Sequence, residues 1–468
     1  MSSVLSKPEN QADVQVVHIV KGRRLSSPDV RFESGKAVFF TPKLDLDELV
    51  WPRAEPGPAF EIKLAEIVEL LLETGEALRR DEKGYLAEAA ERMMFNSPYD
   101  KGIVARSYAR VAQVFNRDRI MSLIEGEIGN PELLDGWVPF KNRSGVGGSI
   151  RACPPRLVHI LAGNSPGVSA SSIIRGAVTK GVNLMKLPSN DLFTAPAILS
   201  TMETIAPGHP VLRSFSAVYW RGGDAAIESM VFRPQYFDKL VAWGGEGALK
   251  SAKNYVGPGF ELVAFDPKTS ISMIGKDALA SREMIEETAE LAASDSTVFN
   301  QAACSSSRFH FVEADSEEAL DEYCAELQKR MGVERPMASV YAQPVSEELK
   351  DEIETLKAFE DMYRVWGEYD GKGLVIRSDE PLDIYPDGKM VNVVRVPNLA
   401  AAMRYANIAT QTVGVYPVSS RIEIRNALAA VGVQRVVTLG KAGTMVPGMS
   451  HDGFFPLHRM VRWVNDEE

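Results

Sequence analysis

Hydrophobic positions fall into distinct textures along the chain. The first 50 residues mix short β-prone runs (VQVVHIV, KAVFF) with turn residues. From 60 to 126, apolar residues recur at helical spacing in FEIKLAEIVELLLETGEAL, YLAEAAERMM and IVARSYARVAQVF. A spacing of i, i+3, i+4 predicts amphipathic helices, and Ser97-Pro98 predicts a break between two of them. DGWVPFKNRSGVGGSIRACPP then pairs two extended runs about a Gly-rich turn, predicting a projecting hairpin.

From Leu157 the pattern becomes an alternation of buried strand and helix. RLVHILA, VNLMKLP, SAVYW and KLVAWGG predict strands, with SASSIIRGAVTKG, TAPAILSTMETIA and AAIESMVF as the helices between them. After Cys304 the alternation resumes with RFHFVEA, EEALDEYCAELQKRM, GLVIRS, VNVVRV, NLAAAMRYAN and QTVGVYP. Repeated βα units imply parallel sheets covered by helices on both faces. The fold class expected is therefore α/β, in two lobes, with Cys304 near the start of the second. No internal repeat and no low-complexity segment interrupts it.

Composition narrows the class. With 468 residues, 45% of them hydrophobic, the chain can bury a large core. A net charge of −11 without a basic run argues against nucleic acid as partner. No basic segment leads into an apolar one at the N-terminus, and no uninterrupted apolar stretch has membrane-spanning length. A cytoplasmic protein without a membrane span is expected. Three cysteines, Cys153, Cys304 and Cys324, make neither a disulfide framework nor a Cys-x-x-Cys site. No His/Cys/Asp cluster has zinc-ligand spacing, so no metal is expected.

The candidate chemistry lies in turns. Cys304, in VFNQAACSSS, stands among small residues that leave room for a substrate; against this, free cysteines are usually inert core residues. LAGNSPG follows a predicted strand, and its Asn164 can donate to a developing oxyanion or merely form a turn. Lys186 ends another strand, where an ammonium can serve a ribose hydroxyl or a phosphate, or snorkel to the surface. WGGEGALKSA puts Gly244 and Gly245 at a helix start, which admits a pyrophosphate, but it lacks the full G-x-G-x-x-G pattern. His159, His310 and His458 lie in apolar or terminal segments and are expected to be structural. His451, beside Asp452 in MSHDGFF, is better placed to face a cleft.

Taken in order, AGNSPG, VNLMKLPSND, WGGEGA and FNQAACSSSR resemble four landmarks of the aldehyde dehydrogenase superfamily. LVHILAGNSPGVSASSIIRG, KLPSNDLFTA, GPGFELVAFDPKTS, TVGVYP and HDGFFPLHRMVRWV are similar, more narrowly, to the LuxC-type acyl-CoA reductases. In bioluminescent bacteria that family is the reductase component of the fatty-acid reductase complex. The resemblance runs from about residue 130 to the C-terminus.

The resemblance implies an aldehyde dehydrogenase-like fold of two parallel-sheet α/β lobes plus a small β oligomerisation arm. Residues 1–135 would form the helical part of the nucleotide-binding lobe and 136–156 the oligomerisation hairpin. A dinucleotide-binding domain would follow at 157–280, a catalytic domain at 281–445, and a C-terminal arm at 446–468. Cys304 would be the acyl-accepting nucleophile and Asn164 the oxyanion donor. Lys186, Ser189, Gly244, Gly245 and Glu246 would line the cofactor site. The family also implies an acyl-CoA or acyl-protein donor, a partnering acyl-protein synthetase, and a homo-oligomer (dimer or tetramer) burying Trp137 and Val138.

Two departures from the oxidising dehydrogenases refine this. If Lys268 matches the lysine of their Glu-Leu-Gly-Gly-Lys run, the general-base glutamate falls on Ala264; matching Glu261 instead requires an insertion. Without the base, water is poorly activated and a thioester survives for reduction. Ser189 stands where NAD-preferring relatives often carry a glutamate that would repel a 2′-phosphate, so NADPH is the expected cofactor. The expected function is NADPH-dependent reduction of a long-chain acyl thioester to the aldehyde. A hydrolytic aldehyde dehydrogenase using Glu261 and a non-catalytic nucleotide- or partner-binding scaffold are the alternatives.

Overall fold

The computed structural model describes residues 14–34, 37–97 and 99–467. The chain divides into two compact units. One comprises residues 1–96, 110–265 and 456–468, the other 97–109 and 266–455.

The helical texture of the first unit resolves into Leu64–Arg80, Tyr85–Asn96 and Arg117–Ile128. In the first of these, Leu64, Ile67, Val68, Leu71, Gly75 and Leu78 are buried along one stripe, the spacing that an amphipathic helix requires. Asp81 ends it in a left-handed conformation, and its carboxylate accepts N–H bonds from Leu86 and Ala87 at the start of the next.

The main sheet of this unit has seven strands. Their spatial order is Glu261–Phe265, Lys239–Trp243, Arg156–Ile160, Val182–Lys186, Phe215–Val218, His18–Val20 and Arg23–Leu25. The first five are parallel and the last two are antiparallel additions. Val158, Leu184, Val218, Leu240, Phe237 and Phe260 form its core with Trp220. Strand order reverses between Arg156–Ile160 and Lys239–Trp243. Such a switch point opens a crevice at the carboxyl ends of the strands, where ligands bind in open α/β sheets. A separate three-stranded sheet joins Val138–Lys141, Gly147–Cys153 and the C-terminal Arg462–Glu467. Trp137, Phe140 and Val146 on this arm are exposed.

The second unit is built on another seven-stranded sheet. Its order is Arg364–Trp366, Leu374–Ser378, Met390–Val396, Ser307–Glu313, Thr269–Ile274, Thr410–Tyr416 and Arg435–Thr438, parallel except for the first strand. Helices Arg282–Ser296 and Glu317–Met331 pack on it through Ala289, Ala292, Ala293, Tyr323, Cys324 and Leu327, all buried. No helix among the described residues is long and apolar enough to cross a membrane.

Candidate active site

In the first unit, the turns singled out from sequence gather at the carboxyl edge of the parallel strands. LAGNSPG follows Arg156–Ile160, and Gly244 and Gly245 follow Lys239–Trp243, so the two turns flank the switch point. Ser165 caps the helix Pro166–Val178 and leaves Asn164, one residue earlier, exposed in the turn. Gly163 has to be glycine: a Cβ there would meet Asn190 Oδ1 at 2.1 Å. The Asn164 turn thus packs directly on the turn that carries Ser189, itself exposed.

Lys186 ends its strand with a buried ammonium lying 5.6 Å from the Trp220 ring centre and 6.0 Å from that of Tyr219. Burial pulls its pKa below the ordinary lysine value, opposed by the Glu228 carboxylate. Glu228 takes its own hydrogen bonds from Trp220 Nε1 (3.3 Å) and Gly223 N (3.1 Å). Lys186 forms neither a hydrogen bond nor an ion pair among the described residues, which suits it to a ligand oxygen.

Helix Glu246–Lys253 begins at Gly245 without a side-chain cap, and the space a Cβ would fill at Gly245 is open. Uncapped N–H groups beside an open glycine fit an anionic group such as a pyrophosphate. The side chain of Glu246 lies outside the described residues. These features fit a dinucleotide.

Cys304 belongs to the second unit, and it sits at the opposite kind of edge. The strand Ser307–Glu313 begins three residues after it, so the thiol lies at the amino end of its parallel sheet. The approach is unusual. Phe299, Asn300 and Gln301 have φ of 52°, 51° and 76°, three successive left-handed residues that cost about 1–3 kcal/mol each. Side chains hold them in place. Asn300 Nδ2 donates to Ser339 Oγ (2.8 Å), and Ser339 N donates to Asn300 Oδ1 (3.0 Å). Gln301 exchanges two bonds with the backbone of Met390, and Arg308 donates to the Gln301 carbonyl (2.7 Å). A fully buried Lys389 binds the carbonyls of Ser339 (2.7 Å) and Val340 (3.0 Å) behind them. The Phe-Asn-Gln run therefore shapes the loop that presents the cysteine.

Ser270 Oγ donates to the Cys304 carbonyl at 2.7 Å, and the Cys304 sulfur accepts from Gln411 Nε2 at 3.1 Å. The same Nε2 donates to Asp452 Oδ1 at 2.7 Å. Cys304 is exposed, yet its sulfur is closely surrounded by protein. Burial pushes the thiol pKa up, the Gln411 donor pulls it down, Asp452 pushes it up, and the N–H groups of Cys304 and Ser305 lower it. Arg435 adds a cation whose charge reaches both Asp295 and Cys304. No sequence motif marks Ser270 or Gln411, and Asp452 stands out in the sequence only as the neighbour of His451. His451 Nε2 lies 3.8 Å from Asp452 Oδ2.

The remaining candidate residues are buried or paired within their own units. Cys153 and Cys324 are buried. His310 is held between Ser296 Oγ and Tyr323 OH (both 2.9 Å), and His159 against Asn183 Oδ1 (3.0 Å). Glu261 opens its strand at the amino edge of the first unit's sheet. It faces Lys239 at 3.2 Å, about 13 Å of strand from the carboxyl edge.

Two α/β sheets, the first with a switch-point crevice and the second with a cysteine on a strained loop before its strand Ser307–Glu313, define an aldehyde dehydrogenase-like fold. Solved structures agree. An oxidoreductase from Marinobacter aquaeolei superposes with TM-score 0.70 at 13% identity, covering 99% of this chain and 100% of that one. An NADP-dependent glyceraldehyde-3-phosphate dehydrogenase from Bacillus halodurans, complexed with NADP, superposes with TM-score 0.69 at 14% identity, covering 97% and 99%.

Sequence relatives narrow the class. The model of the acyl-CoA reductase (LuxC) family matches residues 59–463, and the chain belongs to that family. It is 25% identical to the long-chain acyl-protein thioester reductase of Vibrio harveyi over 458 residues, 96% of this chain and 92% of the relative. The corresponding reductase of Photorhabdus laumondii is 27% identical over 429 residues, 87% and 83% of the two chains.

Proposed function

We propose that this protein reduces a long-chain fatty acyl thioester, carried by a protein or by coenzyme A, to the aldehyde, with NADPH as reductant and Cys304 as the acyl carrier. The observation that carries this reading is Cys304 itself: an accessible thiol among small residues, on a loop fixed by its own side chains, in a member of the acyl-CoA reductase family. A buried structural cysteine such as Cys324 has no such loop built for it.

The Cys304 thiolate attacks the thioester carbonyl. The donor thiolate leaves with the bonding pair, and the acyl group passes to the Cys304 sulfur. The Cys304 N–H supplies a donor to the oxyanion that forms during attack, and the family resemblance gives Asn164 the same role. NADPH, when bound, supplies the hydride that reduces the acyl carbon. Lys186 and Ser189 would hold its ribose and 2′-phosphate, and the Gly244–Gly245 turn with its uncapped helix its pyrophosphate. Collapse at the acyl carbon then breaks its bond to sulfur, releasing the aldehyde and returning the Cys304 thiolate. Glu261, paired with Lys239 at the amino edge of its sheet, is poorly placed as a general base, and Ala264 has no carboxylate. This favours reduction of the acyl group over its hydrolysis. The exposed Trp137 and Phe140 support assembly through the three-stranded arm.

The test is acylation followed by turnover. Radiolabelled acyl-CoA is expected to label the native protein and not Cys304→Ala, which still binds NADPH. NADPH consumption across an acyl-CoA chain-length series, with aldehyde as product, reads the reaction. Labelling that persists in Cys304→Ala, or aldehyde oxidation without coenzyme A in place of reduction, overturns the proposal.

A further inference from the structure

His451-Asp452-Gly453-Phe454 closes a tight turn. His451 N donates to the Phe454 carbonyl (2.8 Å), Phe454 N donates back (3.1 Å), and Asp452 and Gly453 have φ of 51° and 82°. Positive φ at both central positions is the type I′ geometry that favours Asp-Gly, so the pair needs no further explanation as turn chemistry. The carboxylate does. Turn aspartates ordinarily face water, whereas the Asp452 side chain is 4% exposed and folds onto Gln411.

Gln411 Nε2 carries two hydrogens, and the structure gives each an acceptor: Asp452 Oδ1 at 2.7 Å and Cys304 Sγ at 3.1 Å. An amide that rotated by half a turn would set its carbonyl oxygen against both the carboxylate and the sulfur. The shorter bond, to a carboxylate, forbids that orientation. Asp452 therefore selects the face that Gln411 presents to the thiol. We propose that Gln411 is a positioning residue for Cys304, holding the sulfur and stabilising its thiolate through one N–H, and that Asp452 acts on the thiol by orienting that amide.

Two opposed effects of Asp452 make the idea testable. Its charge alone raises the thiol pKa, while its hold on Gln411 lowers it. Lys268 and Asp266 are the other charged groups felt at Asp452, His451 faces it from its own turn, and Arg435 is felt at the thiol. All four stay unchanged in the variants below, so the comparison isolates the carboxylate.

The proposal rests on Cys304 being the acyl carrier, but its test does not need acyl transfer. The rate of iodoacetamide alkylation at Cys304, followed by mass spectrometry of the full-length protein across pH 6–10, reads the sulfur directly. Gln411→Met keeps the length and removes the donor. It is expected to raise the apparent thiol pKa and slow alkylation at pH 7 about tenfold, the scale of one hydrogen bond to a charged group. Gln411→Glu gives a second route to the same loss should the methionine variant fail to fold. Asp452→Asn is expected to slow alkylation in the native background, where the amide loses its orientation. In the Gln411→Met background it is expected to speed alkylation, because only the charge is then removed. Opposite signs in the two backgrounds support the proposal. The same sign in both, no effect in either, or a Gln411 variant with the native pH profile overturns it. Failure here leaves acylation at Cys304 standing, whereas loss of acyl labelling with an intact alkylation pattern removes the function and leaves the tether.

Discussion

The side chain of Gln301 pairs with the backbone of Met390 as a neighbouring strand would: Nε2 donates to the Met390 carbonyl at 2.6 Å, and Met390 N donates to Oε1 at 3.0 Å. Both groups are buried, so removing the amide leaves a backbone donor and acceptor without partners. Gln301→Ala is expected to lower stability by about 2–4 kcal/mol, seen in a thermal melt, and to slow acylation of Cys304 by loosening its loop. A variant that melts as the native protein does would remove this role.

Cys324 offers the contrast. It is fully buried in the core where its helix packs on the second unit's sheet. Cys324→Ala should cost about 1 kcal/mol for the lost packing and leave acyl labelling and turnover unchanged. Altered labelling would place a second reactive thiol in the reaction.

Under the proposed function, Ser189 and Lys186 divide the recognition of the cofactor. Ser189→Glu puts a carboxylate where a 2′-phosphate is expected. It should lower kcat/KM for NADPH about tenfold or more and spare NADH. Lys186→Met removes a buried ammonium that binds no protein oxygen among the described residues, and should raise KM for NADPH with little change in kcat. Steady-state kinetics with both nucleotides check the pair; equal losses for NADH and NADPH in Ser189→Glu would contradict the assignment.

Asp295 sets a pH dependence. Its buried carboxylate accepts N–H bonds from Gly440 and Ala442 (both 2.8 Å), and burial raises its pKa to about 6 from 3.8. A raised folded pKa means the folded state binds the proton more tightly than the unfolded chain. Its stabilising contribution is thus fully present below pH 3.8 and is lost as pH rises through about 6. The melting temperature of the native protein relative to Asp295→Asn is expected to rise as pH falls from 7 to 4, by the equivalent of up to about 3 kcal/mol. A difference independent of pH would show that the carboxylate does not titrate in this window.

Much of the first unit's candidate site was legible because its turns are local. Asn164 and Gly244 follow their own strands within a few residues and Lys186 ends its own, so the strand itself announces the turn. Strand order then explains why such turns converge, since parallel strands share a carboxyl edge. The loop before Cys304 was legible only as a motif. Nothing in Phe-Asn-Gln predicts three left-handed residues, because the side-chain bonds that support them come from Ser339 and Met390 on distant segments.

By itself the sequence determined the alternation of strand and helix, the α/β class, the turns that end each strand and the candidacy of Cys304. Periodicity and short motifs are properties of neighbouring residues. Only the tertiary structure decided what the thiol touches. Gln411 reaches Cys304 across 107 residues and Asp452 reaches Gln411 across 41, brought together by strand pairing and a turn. It also separated Glu261 from the carboxyl edge, although both ends of that five-residue strand look alike in sequence. Register and strand order are long-range outcomes of packing, and they place a side chain at one end of a sheet or the other.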